Sequence, residues 1–124
     1  MSAKLHRMPT RRLVLTMAAL AFLVSPAAAE PLQKVQAQRV CMMNNTLFDK
    51  DQIPVAVEGK TYFGCCEMCK ARLAEDASMR QATDPVSGKP VDKARAVIGA
   101  KPDGKVLYFE NDKTFAEYQK RKPS

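Results

Sequence analysis

Apolar positions change their spacing several times along this chain. Residues 13–24 read LVLTMAALAFLV, twelve positions interrupted only by Thr16. No comparable run returns later. Ile53-Pro54-Val55-Ala56-Val57 and Thr61-Tyr62-Phe63 are β-formers flanking Glu58-Gly59-Lys60, which predicts a hairpin with a glycine turn. A helix is expected over 65–77. The same grammar follows further on. Residues 94–98 and 105–109 flank Lys101-Pro102-Asp103-Gly104, a strong turn signal. Asn111 or Asp112 can cap the next helix, on which Phe115 and Tyr118 share a face. Residues 78–93 read mostly as connection. Residues 30–39 carry no pattern and read as a flexible lead-in, and the basic tail after Lys120 as frayed.

The two patterned stretches are a repeat. Cys41 and Ser87 are 46 positions apart, and Cys65 and Glu110 are 45 apart. Between those marks both copies run from a turn through an aromatic pair, Tyr62-Phe63 or Tyr108-Phe109, into a helix. A shared offset of this kind is the mark of a duplicated supersecondary unit. The expected fold class is α+β: two tandem β-hairpin–helix units, 40–80 and 81–120, packed as one small domain. Neither unit is large enough to bury a comfortable core alone.

Lys4, Arg7, Arg11 and Arg12 precede the apolar run, Ser25-Pro26 ends it, and Ala27-Ala28-Ala29 supplies small residues for cleavage before Glu30. Residues 1–29 therefore read as a signal peptide. The run is too short for a membrane span, which needs roughly 20 residues. Thr10-Arg11-Arg12-Leu13 also resembles a twin-arginine signal, a route for proteins folded before export. The expected location is the periplasm, with no membrane attachment after cleavage. Of 124 residues, 95 remain, and the net charge drops from +7 to +3, because four of the 20 basic residues and no acidic ones are removed. The remaining lysines and arginines are scattered, so nucleic acid is excluded as an expected partner. No Ser-His-Asp set, phosphate loop or cofactor fingerprint is present, and no enzyme activity is expected.

The candidate chemistry lies in four cysteines, Cys41, Cys65, Cys66 and Cys69, with no histidine beyond His6 of the signal. Their surroundings resemble the YHS and TRASH families of small metal-binding domains. Those families carry DPVCGM near the start and YYFCSxxC entering a helix. Asp84-Pro85-Val86-Ser87-Gly88-Lys89 matches the first element except at Cys and Met; Val40-Cys41-Met42-Met43 keeps the Cys and the second Met. Tyr62-Phe63-Gly64-Cys65-Cys66-Glu67-Met68-Cys69 keeps the Cys-x3-Cys spacing with one residue inserted after the aromatic pair. The second copy has Glu110 and Thr114 where the family has thiols. The resemblance spans residues 38–120. It implies a hairpin with a packed helix, like a treble-clef unit, and metal ligation by cysteines, often in copper or heavy-metal handling. It matches Cys41, Cys65 and Cys69 to the ligands. The second unit, without thiols, becomes a packing partner.

On a helix Cys65 and Cys69 would share one face, and Cys41 could return to close a soft site. Cys66 is an extra thiol about 100° away from Cys65 on such a helix. Three thiolates, with Met43, Met42 or Met68 as a further donor, favour Cu(I). Zn(II) ranks second, because structural zinc usually takes four N or S ligands and would here need Cys66 or a carboxylate such as Glu67. The partners expected are the metal ion and another envelope metal-handling protein. The same thiols support two other readings. One is a disulfide-stapled envelope adaptor needing no metal, since exported cysteines often pair. The other is a thiol redox protein, for which Cys66-Glu67-Met68-Cys69 is the only Cys-x-x-Cys.

Overall fold

The computed structural model describes residues 31–121. The signal-peptide reading of 1–29 lies outside the described residues. Among the described residues, nine short strands, two α-helices and two 3-10 helices form an α+β fold. The first unit holds β2 (Val40–Cys41) paired with β3 (Thr46–Leu47), the hairpin β4 (Ile53–Val57) and β5 (Lys60–Gly64), and α1 (Glu67–Glu75). The second holds the pair β6 (Gln81–Thr83) and β7 (Pro90–Asp92), the hairpin β8 (Val97–Ala100) and β9 (Val106–Phe109), and α2 (Asp112–Lys120). The second strand of each hairpin and each helix end 45 positions apart, at Gly64 and Phe109 and at Glu75 and Lys120. No helix among the described residues is long and apolar enough to cross a membrane.

Local chemistry sets most boundaries. Glu58 and Gly59 both have positive φ, 51° and 76°, the two-residue turn whose twist suits a hairpin. Lys60, expected in the turn, instead pairs with Val57. The Asn111 side chain accepts from the Thr114 N–H at 2.9 Å and starts α2. The strand expected over 94–98 begins only at Val97. Asp92 holds the chain back, its side chain accepting from Ala94 N–H and its carbonyl from Arg95 N–H. The segment 78–93, read as connection, contains the end of a 3-10 helix, Ala77–Arg80, and the β6–β7 pair.

The lead-in is the larger correction. Residues 33–35 form β1, antiparallel to β8 with Val35 opposite Ile98, and Ala37–Arg39 is a 3-10 helix. Leu32 is buried, and the Gln119 amide on α2 satisfies both its backbone groups at 2.9 and 2.8 Å. Gly99 makes the packing possible: a Cβ there would lie 2.8 Å from the Phe115 ring and 3.0 Å from Leu32.

One core joins the two units. Val40, Met42, Val55, Tyr62 and Leu73 of the first pack with Ile98, Ala100, Val106 and Tyr108 of the second. Backbone bonds cross the seam, from Leu47 N–H to the Gly104 carbonyl and from Val106 N–H to the Asn45 carbonyl. Asp92 fastens it again, accepting from Lys60 at 2.6 Å and Tyr62 Oη at 2.7 Å. Behind β9, fully buried Phe109 meets Phe115 and Tyr118 edge-on, with ring centroids 5.4 and 5.5 Å away.

Phe109→Ala is expected to lower stability by about 3–5 kcal/mol, the usual cost of emptying a buried aromatic site. Denaturant unfolding followed by circular dichroism and tyrosine fluorescence should show one coincident transition, shifted to lower denaturant. An unchanged midpoint, or separate transitions for the two halves, would refute the shared core.

Candidate metal centre

Cys41 ends β2 and is fully buried. The tight turn after it is held from several sides. Met42 N–H donates to the Phe63 carbonyl at 2.8 Å, tying the turn to β5. Asn45 takes a left-handed φ of 54°, a conformation Asn tolerates better than most residues. The buried Lys93 ammonium donates to the Met42 carbonyl at 2.7 Å and to Asn45 Oδ1 at 3.0 Å, and lies 5.2 Å from the centre of the Tyr108 ring. Tyr108 Oη donates to the same Asn45 oxygen.

The other thiols arrive at the end of β5. Gly64 is the residue inserted after the aromatic pair, and the space around it explains it. A Cβ at Gly64 would lie 3.0 Å from Cys69 Cβ and 3.2 Å from Lys70 N, so glycine lets the strand close against α1. The helix expected from 65 starts instead at Glu67 and ends at Glu75. Cys65 is therefore not helical, and a shared helical face does not explain its nearness to Cys69. The chain turning at 64–66 brings their sulfurs to 3.6 Å. The sulfurs of Cys41, Cys65 and Cys69 all lie within 4.8 Å of one another. Three sulfurs each about 2.3 Å from one ion stand about 4 Å apart, so the group needs little adjustment to hold one.

Cys66 stands outside that group, for a reason other than a helical angle. It is the N-cap of α1, its sulfur accepting from Cys69 N–H at 3.4 Å, and it lies 3.3 Å from Cys69 Sγ. All four cysteines are free thiols. Met42 is wholly buried in the core, whereas Met68 is 76% exposed. Met43 is half-buried and, with Met68, Cys69 and Arg72, lines a depression of about 270 Å³ beside the thiols. Of these three methionines, Met43 and Met68 are thus the ones placed at the site's edge, whereas Glu67 lines a separate depression with Val55 and Lys70.

The thiols are electrostatically unequal. Burial pushes the Cys41 pKa up, but N–H groups of Asn44 and Met43 and contacts with Cys65 outweigh it, and the net direction is down. Cys66 is lowered by the N–H and thiol of Cys69. Cys65 is raised, chiefly by its hydrogen bond to Cys41. Cys69 is pushed up to about 12 by burial and by its bonds to Cys66 and Cys65. The cluster therefore prefers to share protons, and an ion binding it must displace them.

The second unit closes the corresponding junction without sulfur. Asp84 is fully buried. Its Oδ2 accepts from Glu110 N–H at 2.8 Å and Thr114 Oγ1 at 2.7 Å; its Oδ1 accepts from Val86 and Ser87 N–H at 2.7 and 3.1 Å. Glu110 and Thr114 stand 45 positions after Cys65 and Cys69. A carboxylate thus joins strand end to helix where the first unit gathers three thiols.

Sequence reasoning missed Lys93, Asn45 and Asp84 as supports of these junctions. Nothing in the sequence marked Lys93: its burial, like that of Val91 two positions earlier, appears only in the structure. Asn44-Asn45 signalled a left-handed turn, and Asp84-Pro85 an Asx turn. Compared with known proteins, the chain matches no family model, no curated protein and no solved structure.

Burial raises the Asp84 pKa, but the bonds from Glu110 N–H and Thr114 Oγ1 dominate and hold it below the ordinary carboxylate value. Its stabilisation is complete above the unfolded pKa of about 3.9 and is lost as pH falls through the lower folded value. Asp84→Asn should cost about 2–4 kcal/mol at pH 7. Urea unfolding at pH 7 and at pH 3 should show the difference from wild type shrinking in acid. An equal difference at both would mean the charge contributes nothing.

Proposed function

We propose that this chain binds one soft metal ion, Cu(I) first, through Cys41, Cys65 and Cys69. The observation that carries the reading is the convergence of three free thiols within 4.8 Å at a junction the second unit closes with a satisfied carboxylate. Thiolates at low coordination favour Cu(I). Zn(II) ranks second, because its fourth ligand would have to come from Cys66, Met43 or a carboxylate. The likeness to YHS and TRASH domains agrees, with the second copy kept as a structural partner. The apolar run at 13–24 and Ala27-Ala28-Ala29 support export to the periplasm. There the protein would bind, buffer or deliver the ion alongside another envelope metal-handling protein.

Titration of reduced protein with Cu(I) against a competing chelator should show about one tightly held ion. Cys41→Ser and Cys69→Ser should each weaken binding at least tenfold, as should lowering the pH, since protons compete for the thiolates. Full wild-type affinity in both variants would eliminate the site.

The disulfide-stapled adaptor is the second reading, supported by the same closeness of sulfurs. Ligation and oxidation need the same thiolates, so they should exclude each other. Apo and Cu(I)-loaded protein are exposed to a mild disulfide-forming oxidant, and free thiols are counted after acid quench. Apo protein should lose two thiols quickly and loaded protein slowly. Equal rates would favour the adaptor.

A further inference from the structure

We propose that Cys66 is an exchange thiol. With Cys69 it forms an outer pair through which a soft ion reaches and leaves the inner group of Cys41, Cys65 and Cys69. This inference rests on the metal-binding reading above and supplies its transfer step.

Cys69 belongs to both sets, 3.6 Å from the Cys65 sulfur and 3.3 Å from that of Cys66. Exposure falls toward one side of the cluster: Cys65 and Cys66 are both exposed, Cys69 intermediate and Cys41 buried, so the inner group already reaches solvent at Cys65 and Cys66 widens that edge. The capping role does not account for a cysteine. Asn111 makes the same cap 45 positions later, and sulfur is a weaker acceptor than the oxygens that usually cap helices. Cysteine at 66 thus gives a poorer cap and adds a thiol at the solvent edge. The depression lined by Met43, Met68, Cys69 and Arg72 opens beside Cys69, giving an approaching donor room there. The chemistry fits an acceptor that offers a thiolate, such as a second metal-handling protein.

The step is a ligand exchange without redox change. Cys66 loses its proton as its sulfur bonds the ion, and Cys65 gains one as its bond breaks. Cys41 then leaves with the proton given up by a first acceptor thiol as that sulfur binds, Cys66 leaves likewise in exchange for a second, and Cys69 breaks last, taking its proton from solvent. Low-coordinate ions exchange by adding the incoming donor before losing the old one, so a spare thiol beside the site speeds transfer.

Cys66→Asn copies the cap of Asn111 and removes the sulfur; Cys66→Ser is a second cap-competent replacement. Cu(I)-loaded protein is mixed with excess chromogenic Cu(I) chelator in stopped flow, and equilibrium affinity is measured by competition. Both variants should hold Cu(I) within about threefold of wild type and release it at least tenfold more slowly. Wild-type release rates would overturn the proposal. A tenfold loss of affinity would also overturn it, making Cys66 an inner ligand. If wild type and a variant with serine at 41, 65 and 69 bind Cu(I) alike, the function reading fails and this inference with it.

Discussion

The buried ammonium of Lys93 is the contact on which the thiol site depends. A charged amine out of water is costly unless its donors are satisfied. Here the Met42 carbonyl, Asn45 Oδ1 and the face of Tyr108 meet it. Lys93 and Tyr108 belong to the second unit; Met42 and Asn45 form the turn after Cys41. The first unit's cysteine-bearing turn is therefore set by residues some 50 to 60 positions downstream, and cannot drift without unpairing a buried cation. Burial lowers the Lys93 pKa, and the nearby Cys41 sulfur, when charged, opposes that shift.

The repeat meets one structural problem in two ways. In each unit a hairpin must be fixed to the start of a short helix. The second unit uses a carboxylate whose two oxygens take four hydrogen bonds from three backbone N–H groups and one hydroxyl. That arrangement is complete by itself. The first places thiols there, which are weak donors and acceptors and leave its junction open to a further partner. The two copies thus differ in content: the second supplies half of the shared core and a self-satisfied junction, and the first carries the clustered thiols.

Features whose causes are local could be read from the residues. Glu58-Gly59 and Asp103-Gly104 mark the hairpin turns, and Asn111 caps α2. The 45-residue offset exposes two similar hairpin–helix units, and the spacing of cysteines around Tyr62-Phe63 points to a thiol site. Other features had no local cause. Strand β1 has three residues, and its partner β8 lies more than 60 positions away, so no periodicity betrays it. Cys66 is not a usual cap, and nothing in its neighbours says that the helix starts after it and not before Cys65.

The sequence by itself determined which groups are available: four thiols, no imidazole after residue 6, and a second copy stripped of sulfur. Turn and cap chemistry, acting over a few residues, also placed the two long hairpins and the two α-helices to within a few positions. Only the tertiary structure decided which thiols meet. Cys41 is 24 positions from Cys65, and their approach is fixed by Met42 bonded to Phe63, by Gly64 closing on Cys69 and by Lys93 gripping the turn from the other unit. The Gly64 contact is local, but the Met42–Phe63 and Lys93–Met42 bonds join segments 21 and 51 positions apart and form only when the chain has folded back on itself.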